Sequence, residues 1–440
     1  MNRELAGTVS LDLAVVGAGY VGLVASACYA AAGHRVVCLD RDPARIAAIL
    51  DGRLPVWEPG LPERLAAGRA NLSFTTDPRA VATAEIVLLA VGTPSGLDAA
   101  VDLADLDAAL EAVLPWLAPR ALLVVKSTTP VGTLARVRER FGRAGLHNPL
   151  ATCPEFLREG SAIADLDAPD RVVIGTDDPD AAARLAPLYP GAKRILRMDP
   201  ASAELAKYAA NALLAARVSF VNELADLATA TGADIDAVRE ALAADHRIGP
   251  HHLEPGPGWG GSCCPKDLAA LASFGRGHGV EATIAEAALR SNALHVERWV
   301  ARIRDLLDPI AGRRIAAWGL AFKADTDDVR YSPALAVVRA LADAGARVTV
   351  HDPVALVAAR GVLGDRVGYA PDAWSALAGA DALVIGTAWA AYRDADLARI
   401  ARELPGRVIV DGRNLWRPAT LAGGPLRYHS VGRPSVGGLA

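Results

Sequence analysis

The run Gly258-Trp259-Gly260-Gly261-Ser262-Cys263-Cys264-Pro265-Lys266-Asp267 concentrates reactive chemistry more densely than any other stretch of this 440-residue chain. A glycine-dense turn ahead of a helix bares backbone amides and leaves room for a ligand. A cysteine at such a helix start is acidified by the helix dipole and a neighbouring lysine, which makes it a nucleophile. The alternative is a buried structural cysteine; the glycine density and the Lys266-Asp267 pair favour the nucleophile. A second motif, Gly17-Ala18-Gly19-Tyr20-Val21-Gly22, follows a strand and opens a helix. Asp40 ends the next strand, where an acid hydrogen-bonds the ribose hydroxyls of a dinucleotide. The glycines admit a pyrophosphate at the helix N-terminus. The Asp40 charge favours NAD over NADP by repelling a 2′-phosphate, and the adjacent Arg41 counters part of that preference. Third, Glu204, Lys207 and Asn211 lie three and four residues apart in a helical stretch, on one face. An ammonium and an amide side by side would stabilise an oxyanion; the competing reading is a solvated helix face. Fourth, in CPEFLREGSAIAD (153–165), Glu155 and Glu159 flank Phe156 and Leu157. Read alone, this segment fits an ordinary helix start equally well.

The elements that must hold these residues alternate short apolar runs with amphipathic helical stretches, the pattern of βα units on a parallel sheet. Strands are expected at 13–16, 36–39, 86–90, 122–126 and 172–174, and a second series at 315–318, 348–350, 382–385 and 408–410. The two series echo each other. AAGHRVVCLDRDP (31–43) resembles DAGARVTVHDPV (343–354), and AEIVLLAVGTP (84–94) resembles ADALVIGTAW (380–389). Between them lies a strand-free region with a long helical run, 203–231, ended by Gly232 in C-cap fashion. The expected fold is therefore α/β: two Rossmann-like doubly wound parallel-sheet domains joined by a central helical domain with one long helix. That helix serves as a spine and a dimer surface, and the tail from about Arg433 reads as flexible. Composition agrees: 52% hydrophobic residues exclude disorder, and a net charge of −4 argues against nucleic-acid or polybasic membrane-surface partners. The uncharged run 13–33 is long enough to span a bilayer, but Gly17, Gly19 and Gly22 break it into strand, turn and helix. Five cysteines without a Cys-x-x-Cys pair fit neither a disulfide framework nor a metal site, and point to a cytoplasmic setting.

GAGYVG, WEPGL (57–61), VGTP (91–94), KSTTPVGT (126–133), PEFLREGSAI (154–163), PDRVVIG (169–175), ELAKYAANALLA (204–215), DHRIG (245–249), GWGGSC (258–263), PKD (265–267), FK (322–323) and DGRN (411–414) occur in the order found in the UDP-glucose/GDP-mannose dehydrogenase family, which the chain resembles over nearly its whole length. PEFLREGSAI, PDRVVIG and RIG resemble the UDP-glucose branch; the alternative is the same chemistry on GDP-mannose or a UDP-hexosamine. The resemblance implies a homodimer with an NAD-binding domain (1–199), a central helical and dimerisation domain (200–305) and a UDP-sugar-binding domain (306–440). It implies NAD-dependent, four-electron oxidation of the sugar C6 alcohol to a carboxylate. In that scheme Cys263 forms a thiohemiacetal and then a thioester, Lys207 and Asn211 steady the oxyanion, and Asp267, Thr128 and Glu155 position water and relay protons. Gly17, Gly19, Gly22, Asp40, Thr93, Glu159, Lys266 and Arg330 would bind NAD. Phe156, Leu157, Lys207, Asn211, Arg247, Gly260, Phe322, Lys323 and Arg413 would bind UDP-glucose, with Arg247 reaching the partner subunit's site. The chain departs from the family at Cys264 (usually aromatic or Leu), Cys153 (Asn), His252 (Phe) and Tyr331 (Glu), changes expected to line the pocket.

Overall fold

The apolar runs become the inner strands of two separate sheets. The structure, a computed structural model, describes residues 10–96 and 99–437, and its contacts divide the chain into two units, Met1–Ala210 and Asn211–Ala440.

The first unit carries β1 (Asp12–Val16), β2 (Arg35–Leu39), β3 (Leu72–Thr75), β4 (Ile86–Leu89), β5 (Leu122–Val125), β6 (Leu150–Thr152), β7 (Val172–Gly175) and β8 (Ile195–Met198). They assemble in the order β3-β2-β1-β4-β5-β6-β7-β8. Pairing is parallel except between β6 and β7, which meet antiparallel at Thr152 and Gly175. This is a local departure from the all-parallel expectation. Both faces of the sheet are buried, and strand alternation sorts the core into two layers. Leu13, Val15, Leu88 and Val124 face one layer, and Ala14, Val16, Leu89 and Val125 the other. The uncharged run resolves into β1, a glycine turn and the helix Tyr20–Ala31, whose Ala25, Ala27 and Ala30 are fully buried. Small residues let that helix lie close to the strands. Among the described residues, no helix is long and apolar enough to cross a membrane.

The second unit carries β9 (Arg314–Trp318), β10 (Arg347–His351), β11 (Gly368–Tyr369), β12 (Ala382–Ile385), β13 (Val408–Asp411) and β14 (Arg427–Ser430). All pair parallel, in the order β11-β10-β9-β12-β13-β14. In each sheet the order reverses beside its first strand, at β1/β4 and at β9/β12, and ligands enter such sheets beyond the carboxyl ends there.

The long helix is Pro200–Thr231, and the division between the units falls within it. Gly232 follows with φ +75°, the left-handed residue that closes a helix. The expectation of a flexible tail is corrected. Arg433 is buried, with Nη1 2.8 Å from Trp416 O and Nη2 2.8 Å from Asp236 Oδ2, and Val436 pairs with Tyr428. A buried basic side chain held by Trp416 O and Asp236 holds what composition alone reads as loose. The last three residues lie outside the described ones.

Candidate active site

In the first unit, Gly17 turns the chain out of β1 at φ +106°, a region closed to ordinary side chains. A Cβ on Gly22 would fall 1.8 Å from Gly17 O, so only glycine lets the helix approach this closely. Gly19, the N-cap, has nothing within 4 Å of where its Cβ would be. The turn is thus packed from behind and open in front, a cradle that fits a pyrophosphate over the first-turn amides. Asp40 is buried, and its carboxylate accepts from Ala18 N at 2.7 Å and Asp42 N at 3.0 Å and pairs with Arg45 at 2.9 Å. It fixes the glycine turn as well as closing the crevice. Thr93 Oγ1 donates to Thr128 O at 2.9 Å, tying the loops after β4 and β5.

Glu155 and Lys207 form a buried ion pair, Nζ to Oε1 3.2 Å. Leu157 N donates to the other carboxylate oxygen at 2.5 Å. Lys207 Nζ also stands 5.2 Å from the centre of the Phe156 ring, so motifs read separately converge here. Removing either charge would leave the other buried without this ion partner. Glu159 is half-buried nearby in sequence. Glu204 serves otherwise: its carboxylate caps the helix Thr133–Arg143 by accepting from Gly132 N at 2.7 Å and Leu134 N at 2.8 Å. Burial raises its pKa, opposed by those amides. Glu58, in the WEPGL segment, accepts from Tyr20 OH, from Gly160 N at 2.6 Å and from Ala162 N at 2.7 Å. A lone acid beside a proline gives no sequence signal that its partners lie a hundred residues away.

In the second unit, Cys263 is exposed and occupies the N-cap of the helix Cys264–Gly277. One turn in, Asp267 is buried, accepting from Asn211 Nδ2 at 2.6 Å and Lys266 Nζ at 2.7 Å. Cys263 is thus exposed one helical turn ahead of an anchored carboxylate. Cys28 and Cys38, by contrast, are buried, and burial pushes both thiols up to about 12. Cys153 is corrected from pocket to core: it is buried, its sulfur 3.6 Å from Tyr189 OH. Gly260 faces Tyr331 O, which a Cβ would meet at 2.1 Å, and a Cβ on Gly261 would strike the Phe322 ring at 2.8 Å. Tyr331 and His252 both adopt positive φ, and the Tyr331 side chain is exposed.

Arg413 spans the ends of the second sheet, donating from Nε to Gly386 O at 2.9 Å and from Nη2 to Phe322 O at 2.6 Å. Burial lowers its pKa to about 10, opposed by Asp411. Lys323 Nζ lies 5.7 Å from the centre of the Phe322 ring. Arg330 pairs with Asp328 at 2.8 Å, and Arg247, exposed, with Asp245 at 2.5 Å.

Family models of the UDP-glucose/GDP-mannose dehydrogenase family match in succession: the NAD binding domain at 11–193, the central domain at 201–294 and the UDP binding domain at 316–418. The chain belongs to the UDP-glucose/GDP-mannose dehydrogenase family. It is an NAD-dependent dehydrogenase, and the glycine cradle supplies the fit for that cofactor. It is similar to the UDP-glucose 6-dehydrogenase of Pseudomonas aeruginosa, at 42% identity over 97% of this chain and 98% of that one. Among solved structures it resembles a UDP-glucose dehydrogenase from Pyrobaculum islandicum (TM-score 0.87, 40% identity, covering 98% of this chain and 100% of that one). A UDP-D-ManNAc dehydrogenase from Pyrococcus horikoshii follows at TM-score 0.83 and 26% identity, covering 96% and 99%.

Proposed function

We propose that this chain oxidises the C6 alcohol of UDP-glucose to the carboxylate of UDP-glucuronate, through a thioester on Cys263. The observation that carries the reading is an exposed cysteine at a helix N-cap, reached through a glycine turn and one helical turn ahead of the buried Asp267. NAD, when bound, supplies the hydride acceptor for each of the two oxidations. The Cys263 thiolate adds to the C6 aldehyde to give a thiohemiacetal, whose oxidised form is the thioester. Water then cleaves the C–S bond, leaving the carboxylate and returning the thiol. Lys207 and Asn211 stabilise the oxyanion, and Asp267, Thr128 and Glu155 position water and carry protons. The glycine turn, Asp40, Thr93, Glu159, Lys266 and Arg330 hold NAD. Phe156, Leu157, Arg247, Gly260, Phe322, Lys323 and Arg413 hold the nucleotide sugar. Substrate choice rests on the relatives: the Pseudomonas aeruginosa and Pyrobaculum islandicum enzymes named for UDP-glucose stand at 42% and 40% identity, and the UDP-D-ManNAc enzyme at 26%.

The test is the NADH yield per UDP-glucose, for the wild type beside Cys263→Ser and Cys264→Ser. The expected result is two NADH for wild type and loss of complete turnover in Cys263→Ser alone. Full turnover by Cys263→Ser would refute the thioester, and preference for GDP-mannose would move the substrate.

The three-domain division at 199/200 and 305/306, a cytoplasmic setting and a homodimer belong to the same reading. The long helix presents Leu213, Phe220 and Leu227 at 65%, 55% and 54% exposure, seven residues apart. Apolar side chains at that spacing form one stripe, the pattern of a helix awaiting a partner helix. Sedimentation should give twice the chain mass; a monomer at micromolar concentration would remove the dimer.

A further inference from the structure

The loop that delivers Cys263 is gripped by side chains that none of the proposed steps uses. Asn222 Oδ1 accepts from Gly256 N at 2.9 Å, and His295 Nε2 lies 2.7 Å from Gly256 O. A carbonyl oxygen only accepts, so the His295 ring carries a proton on Nε2. Its Nδ1 lies 3.0 Å from Asp226 Oδ1, and Arg298 Nη1 stands 3.1 Å from the other oxygen of that carboxylate. Three residues along, the grip repeats. Asn292 Oδ1 accepts from Trp259 N at 2.9 Å while its Nδ2 donates to Trp259 O at 3.0 Å. The Trp259 indole donates to Ser219 Oγ at 2.8 Å, and Ser219 donates in turn to Ala288 O at 3.2 Å. Gly261 N completes the series by donating to Arg330 O at 2.9 Å.

Ser219 and Asn222 lie three apart on the long helix, and Asn292 and His295 three apart on the helix Thr283–Leu306, so each pair shares a face. Ser219, Asn222 and His295 are all buried. A residue held at both its N–H and its C=O has its flanking peptide planes fixed. The grips fall at 256, 259 and 261, on either side of Gly258 and Gly260, where the backbone is otherwise least constrained. The geometry points to Ser219, Asn222, Asn292 and His295 as positioning residues that set the Gly256–Gly261 backbone and so hold Cys263 on the N-terminus of its helix. The inference rests on Cys263 as the nucleophile; a purely structural role would satisfy the same hydrogen bonds without acting on the thiol.

Alkylation of Cys263 by iodoacetamide across the thiol titration range, read by mass spectrometry on the full-length protein, separates the two. It is paired with turnover of UDP-glucose and NAD. In Asn292→Ala and His295→Ala the loosened loop takes Cys263 away from the helix N-terminus, so the alkylation profile shifts to higher pH. kcat falls about tenfold or more, as expected for a displaced reacting group, and KM for NAD is unchanged. His295→Gln, whose carboxamide N–H still reaches Gly256 O, recovers most of kcat. Asn148→Ala is the control: it removes a buried amide remote from the loop in sequence, bonded to Ala118 O at 2.7 Å and Ala121 O at 2.9 Å. It should lower Tm and leave the Cys263 profile in place. A wild-type profile and wild-type kcat per folded molecule in both alanine variants would overturn the proposal, as would an equal shift in Asn148→Ala. Should an alanine variant not fold, Asn292→Asp keeps the acceptor, loses the donor, and gives the same readouts. A wild type inert toward UDP-glucose would fail the substrate reading alone, because the alkylation profile still decides the grip.

Discussion

The two sheets build one framework twice and equip it differently. Gly17 N donates to Leu39 O at 2.7 Å and Gly319 N to His351 O at 2.8 Å; Ala90 N donates to Val16 O and Gly386 N to Trp318 O, both at 2.8 Å. Asp40 accepts from Ala18 N and Asp352 from Leu320 N, both at 2.7 Å. Gly319 has φ +93°, matching Gly17. In each sheet an acid at the end of the second strand pins the turn after the first. The equipment then diverges. After Gly17 a helix starts at Tyr20, so its first-turn amides stand at the crevice. After Gly319 the next helix starts only at Pro333, and residues 320–332 intervene. In place of a helix N-terminus, side chains occupy that position, and Phe322, Lys323 and Arg413 gather there. Asp352 carries more of the load, accepting also from Ala321 N, Val354 N, Ala355 N and Trp389 Nε1.

The sharpest way to break this equivalence is at the helix-to-turn contact. In the first sheet the helix supplies glycine (Gly22) and the strand end alanine (Ala90), their would-be Cβ contact being 3.4 Å. In the second the assignment is reversed: Gly386 ends the strand, and a Cβ there would lie 2.5 Å from Ala334 Cβ. Gly22→Ala drives its Cβ to 1.8 Å from Gly17 O, closer than the 2.5 Å at which Gly386→Ala meets Ala334 Cβ and Gly319 O, and should give the largest effect. It should lose about 2–3 kcal/mol of stability by overpacking and raise KM for NAD. Gly386→Ala should cost about 1–3 kcal/mol, leave KM for NAD alone, and be partly rescued by adding Ala334→Gly. Urea unfolding of the three variants measures this. Failure of Ala334→Gly to rescue Gly386→Ala would assign the cost to Gly319 O, also 2.5 Å from the added Cβ, rather than to the helix contact.

What the sequence disclosed follows the same physics. Strands buried on both faces, such as β1, β4, β5, β9 and β12, appear as apolar runs, and their echo exposes the repeat. Strands at or toward an edge do not: Leu72–Thr75, Ile195–Met198 and Arg427–Ser430 mix polar with apolar residues, and β6 and β11 are too short to carry a period. The glycine fingerprint and the Gly258–Asp267 loop are legible because their residues are contiguous. Glu58, Glu204 and the Asn292–His295 pair are not, because polar side chains on a helix or loop look solvated until the chain brings amides to them.

A smaller effect sharpens the comparison on the equivalent strands β2 and β10. Just ahead of β2 stands His34 where β10 is preceded by Ala346; at the end of β10 stands His351 where β2 ends in Leu39. Burial is the main cause holding both rings below the usual histidine pKa. His34 Nδ1 accepts from Leu11 N at 3.2 Å, a bond that the protonated ring forfeits. With the folded pKa below the unfolded value of about 6.5, each ring contributes stability above that pH and loses it as pH falls toward the folded value. Carboxylates whose pKa values are lowered in the fold titrate below this window. His34→Ala and His351→Leu, each importing the other framework's residue, should therefore flatten the fall in Tm between neutral pH and mild acid. Their effects should add in the double variant, because the rings share no partner. A residual slope should persist from His429, which burial also holds low. An unchanged slope in both single variants would show that burial of these rings does not govern acid stability.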